Sequence, residues 1–193
     1  MNRLTALLLT LALFIPYGTR LHGQDWIRTG TGLGVEKIRL AVPDFKAAAT
    51  DADTKRLTTA FSVTLWNDLQ AAGIFDMVSP SFYPLSQPGS PQDVNLAQWG
   101  DPPPNANMLA FGNALAQGSS LAVQGWLYDV KNSQSPQVLG KQYRESASED
   151  NAKLIAHRFA DEIIFRLGGG IQGIAESKIY YVSNRSGTKE IWQ

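Results

Sequence analysis

The chain has 193 residues, 44% of them apolar, which suits one domain of ordinary size plus extensions. Its 17 basic and 17 acidic side chains cancel, which leaves no electrostatic case for nucleic acid or for an anionic membrane surface. It contains no cysteine, so thiol catalysis, disulfides, thiolate metal sites and a lipidated-cysteine anchor are excluded within it.

Arg3, the apolar run Leu4 to Ile15 and the polar stretch Pro16 to Gly23 have the layout of a secretory signal peptide over residues 1–23. The run is short for a hydrocarbon core ~30 Å thick. Its removal takes away Arg3 and Arg20 and no acid, leaving 15 basic against 17 acidic groups, a net charge of −2. Residues 24–34, Gln24-Asp-Trp-Ile-Arg-Thr-Gly-Thr-Gly-Leu-Gly34, hold three glycines and predict a flexible strip. Such a strip can add as a strand to a partner's open sheet edge, with main-chain hydrogen bonds giving affinity and Trp26 giving selectivity. Ordering it costs about 1–2 kcal/mol per residue, so binding is expected to be weak and switchable. Gly30-Thr-Gly-Leu-Gly34 resembles a dinucleotide fingerprint only superficially: it precedes a strand, whereas a phosphate loop follows a strand and opens a helix.

Val35 to Val42 alternates as a strand, ended by Pro43-Asp44-Phe45, and Lys46 to Asp51 reads as a connection. Asp53 is the expected cap of a helix carrying Leu57, Phe61, Leu65, Leu69 and Ala72 at spacings of three and four, with Gly73 as its stop. A short strand follows over Ile74 to Val78. Ser79 to Pro104 holds seven of the ten prolines and reads as irregular. Met108 to Gln117 reads as a short helix closed by Gly118, and Leu121 to Val130 as a strand. Lys131 to Pro136 is a polar hairpin loop leading to a strand over Gln137 to Glu145. Ser148 caps the last helix, with Glu149 and Asp150 in its first turn, Ile155, Phe159, Ile163 and Leu167 as its buried stripe, and Gly168 to Gly170 as its stop.

The order β-α-β-(α)-β-β-α predicts an α/β fold: a two-layer domain over residues 35–168, with a mixed sheet and helices on one face. Residues 169–177 form a linker. Residues 178–193 read as a hairpin turning at Ser186-Gly187, with Ile191-Trp192 in the return strand. A lone two-stranded ribbon is marginal in water, so the hairpin is expected to be the start of a larger β structure, a propeller blade. It is expected to be loosely attached, with Tyr180 and Trp192 outside the α/β core.

Chemistry-bearing groups are sparse. His157 is the only histidine beyond the signal, with Asp161 one turn on and no second histidine or cysteine to complete a zinc set. Asp161 and Glu162 point about 100° apart and read as solvated rather than as an acid/base pair. No Gly-x-Ser-x-Gly elbow is present. Trp26, Trp66, Trp99, Trp126 and Trp192 are spread one per element, as core or lid residues rather than a stacking platform. Asn184-Arg-Ser186 fits a glycosylation pattern but falls in the tight hairpin. The residues imply neither a cofactor, nor a metal, nor a small-molecule substrate.

Several islands resemble the TolB family of the Tol-Pal envelope system. They are Ile38 to Phe45, Leu69 to Phe75, Gln87-Pro-Gly89 leading to Trp99, Leu121 to Gly125, Ala156 to Ile163, and the hairpin Ile179 to Ile191. The inserted Asp101 to Asn105 departs from the pattern. The resemblance implies a non-enzymatic periplasmic adaptor, a six-bladed propeller downstream, and a role in envelope integrity and cell division. It further implies that the mature N-terminus docks a TolA-like inner-membrane protein, which makes Asp25, Trp26, Ile27, Arg28, Thr29 and Gly30 the candidate partner-binding residues. A Pal-like lipoprotein would be met only by the propeller. The competing reading is the leading part of a secreted serine peptidase whose propeller gates a hydrolase domain, since similar propeller entries occur there.

Overall fold

A computed structural model of the chain describes residues 37–170 together with 173, 175, 181–183 and 190–192. The proposed signal, the docking strip and the Ser186-Gly187 turn therefore lie outside the described residues.

The main sheet runs β3-β1-β4-β5-β6, with β1 Ile38–Ala41, β3 Phe75–Met77, β4 Met108–Gln117, β5 Ser120–Asp129 and β6 Gln137–Ser146. A two-residue strand, β2 Lys46–Ala47, continues beside β4 within what the sequence presents as a connection. Pairings β1·β3 and β1·β4 are parallel, while β4·β5 and β5·β6 are antiparallel, so the sheet is mixed as expected. The long helices α1 Ala52–Ala71 and α3 Glu149–Leu167 pack together on one face.

Three local expectations need correction. Met108 to Gln117 is a ten-residue strand, not a helix. Its residues alternate between two buried faces, Met108, Ala110 and Ala114 toward the helices and Leu109 and Phe111 away from them. An apolar run buried on both faces hides the period of two. Gly118, at φ +59°, then begins the two-residue turn into β5, a position that favours glycine. The cap of α1 is Asp51, whose Oδ1 accepts the Thr54 N–H at 2.8 Å; Asp53 lies inside the first turn and pairs with Arg56. The third correction concerns the proline-rich passage, which contains a short helix, α2 Leu96–Gly100.

That passage covers the sheet face opposite the long helices. Trp99 on α2 is 1% exposed and packs with Ala41, Leu109, Phe111, Tyr128 and Val130, and its ring centroid lies 5.3 Å from that of Tyr83. Tyr83 donates its hydroxyl to the Val78 carbonyl and accepts the Val42 N–H, and burial raises its pKa to about 12.

On the helix face, Gly112 and Gly125 oppose one another across β4 and β5. A Cβ at Gly125 would stand 2.8 Å from the Phe159 ring, and one at Gly112 would collide with Phe45. The glycine pair thus forms the recess in which Phe45, Phe61 and Phe159 meet, with the Phe45 and Phe159 centroids 6.0 Å apart, edge to face. The strands β7 Tyr181–Ser183 and β8 Glu190–Trp192 pair antiparallel as a separate two-stranded sheet, which agrees with the expected hairpin.

Candidate functional site

In sequence the strip of residues 24–34 precedes β1, the strand between β3 and β4. Asp25, Trp26, Ile27, Arg28, Thr29 and Gly30 all lie outside the described residues, so no geometry brings them together here. The root they lead into is firmly held. Arg39 donates from Nη1 to Asp76 Oδ2 at 2.7 Å and from Nε to the Pro104 carbonyl at 3.0 Å, while its backbone N–H reaches Asn107 Oδ1. Asn107 in turn donates its backbone N–H to the Arg39 carbonyl. These contacts tie β1 to β3 and to the end of the proline-rich passage.

A second polar group sits between the long helices. His157 does not pair with Asp161, its neighbour one turn on; its Nδ1 lies 2.7 Å from Asp68 Oδ2 on α1, and the two side chains are 31% and 18% exposed. Burial raises the Asp68 pKa, the hydrogen bond and charge of His157 oppose the rise, and the charge of Asp161 adds to it. Asp161 and Glu162 are engaged rather than merely solvated: Asp161 Oδ1 accepts the Ala175 N–H at 2.9 Å, and Glu162 Oε1 meets Lys141 Nζ at 2.6 Å. Asp68 carries no local sequence signal as a partner of His157, because 89 residues separate them and only the register of α1 against α3 brings them together.

An open concavity of about 390 Å³ lies at the start of α1, lined by Asp51, Asp53, Arg56, Leu57, Ala116 and Gly118 among others. Its charges serve local structure. Arg56 bridges Asp53 at 3.2 Å and Glu149 at 3.8 Å, and the Thr54 N–H holds the Asp51 carboxyl below its usual range. Glu149 is held low and Lys153 raised by their mutual pairing at 2.8 Å. Among the described residues no group of three or more histidine or acidic side chains is placed to hold a metal ion. No described helix is long and apolar enough to cross a membrane.

The family model described as the TolB amino-terminal domain matches residues 31–136, a span that includes β1 to β5. This chain belongs to that family. The Tol-Pal system protein TolB of Roseobacter denitrificans is 30% identical over 190 residues, 98% of this chain and 41% of that protein. The protein of the same name from Geobacter sulfurreducens is 28% identical over 192 residues, 98% of this chain and 42% of that one. The chain therefore spans about two-fifths of these curated relatives. The crystal structure of TolB from Acinetobacter baumannii superposes with a TM-score of 0.58 at 19% identity, covering 77% of this chain and 32% of that one, so the TolB fold is shared. His157 and Asp161 fall beyond the span matched by the TolB amino-terminal family model.

Proposed function

We propose that this chain is the leading part of an exported, non-catalytic adaptor of the Tol-Pal envelope system. In this reading residues 1–23 direct it to the periplasm, and residues 24–34 dock a TolA-like inner-membrane protein by strand addition. The hairpin of residues 178–193 opens a propeller that meets a Pal-like lipoprotein, and the assembled protein serves envelope integrity and cell division. The observation that carries the reading is the family match over residues 31–136, joined to relatives that align with nearly the whole chain and bear the Tol-Pal name. The engagement of His157 with Asp68 and of Asp161 with a backbone amide supports a scaffold role for these groups. The peptidase alternative draws no support from the relatives' names.

Arg39 holds β1 through partners that all lie beyond residue 34, so a variant lacking residues 24–34 keeps those contacts. The deletion variant is expected to keep the wild-type melting curve and to lose capture by the soluble domain of a TolA-like partner in a pull-down. Undiminished capture would remove the docking assignment.

A further inference from the structure

The chain leaves α3 at Gly168 to Gly170, and two residues farther on are seated back against that helix. The Asp161 carboxylate receives the Ala175 N–H at 2.9 Å. Gly173 lies so close that a Cβ on it would stand 2.7 Å from Asp161 Cα and would overlap the carboxylate. Ala175 packs against the main core. A charge-assisted hydrogen bond and a close approach open only to glycine thus converge on Asp161, and the packing of Ala175 on the core adds a third hold.

We propose that Asp161 is a latch that holds the outgoing segment on α3 and so sets the direction in which the β7·β8 hairpin leaves the α/β domain. A bare tether would let the hairpin take many bearings. A segment held at residues 173 and 175 instead shortens the stretch between its last anchor on α3 and β7, which narrows the bearings the hairpin can take. A carboxylate suits the task because it accepts from a main-chain donor whatever side chain that residue carries.

The test uses the full chain, whose lack of cysteine permits clean double labelling. Spin labels at Val63→Cys, an exposed position on α1, and at Thr188→Cys report the distance distribution between domain and hairpin. Hydrogen exchange reads the Ala175 amide. Asp161→Ala is expected to broaden the distribution and to speed Ala175 exchange about tenfold or more. Asp161→Asn, which keeps an acceptor oxygen, is expected to fall between it and wild type. Gly173→Val is expected to broaden the distribution with Asp161 intact. Protection of Val123 and Phe159 serves as the folding control. If Asp161→Ala loses that protection, Gly173→Val decides. A distribution unchanged by the deciding variant, or Ala175 exchange unchanged by Asp161→Ala in a folded protein, overturns the latch.

Discussion

Asp68 shows at the scale of one residue how burial and pairing compete. Its carboxylate sits between two helices, and loss of water outweighs the help from His157, so its pKa is raised. The folded state then binds a proton more readily than the unfolded chain. Stability is therefore higher at pH values below the unfolded pKa, and it falls as pH rises through the window up to the folded one. Asp68→Asn keeps an oxygen for the His157 Nδ1–H and removes the titration. In urea titrations from about pH 4 to pH 7, wild type is expected to lose stability relative to Asp68→Asn as the pH rises. Parallel curves for the two proteins would show that the half-buried carboxylate carries no such penalty. The sequence reveals His157 as a lone histidine, yet it holds nothing local that names Asp68 as its partner, because that contact depends on how two distant helices pack.

Among the elements, those with one buried face are the legible ones. The stripe Ile155, Phe159, Ile163 and Leu167 is buried as its spacing predicts, and Ser148 caps α3 by accepting the Asn151 N–H at 3.2 Å. On α1 Leu57, Phe61, Leu65 and Leu69 are buried as expected and Ala72, at the C-cap, only partly, while the N-cap falls two residues earlier than expected, because Asp51 is the carboxylate placed to reach the Thr54 N–H. The strand β4 defeats the periodicity because both its faces are covered and because alanine, common in it, favours helix when packing is ignored. The proline-rich passage illustrates a different limit. Prolines forbid long regular elements but say nothing about burial, and here they deliver Trp99 into a second core. Trp99→Ala is expected to cost about 3–5 kcal/mol in the urea midpoint analysis, the usual penalty for emptying a packed aromatic site. A cost below about 1 kcal/mol would mean that the passage is draped over the sheet rather than packed into it.

Viewed whole, the described residues form two sheets of unequal standing. The main sheet has helices on one face and a proline-rich cover on the other; β7·β8 is a ribbon of two short strands. The main unit contains both core clusters, so a fragment of residues 35–177 is expected to melt in one cooperative transition, read by far-UV and near-UV circular dichroism together. Divergence of the two signals on heating would mean that the α/β domain depends on the hairpin for its packing. Ion pairs at the surface, such as Arg158 with Glu145 at 2.7 Å, add little to that stability and are poor targets for engineering it.

By itself the sequence determined the α/β class, both long helices, the β5·β6 hairpin, the terminal ribbon and the family, since each rests on local periodicity, caps, turns or short ordered islands. Tertiary structure alone decided that Met108 to Gln117 is a central strand, that a proline-rich stretch carries Trp99 into a core, and that Asp68 meets His157 while Asp161 meets the Ala175 amide. Those outcomes come from contacts between residues far apart in the chain, where the burial of a second face or the register of two helices outweighs what any short window of side chains prefers.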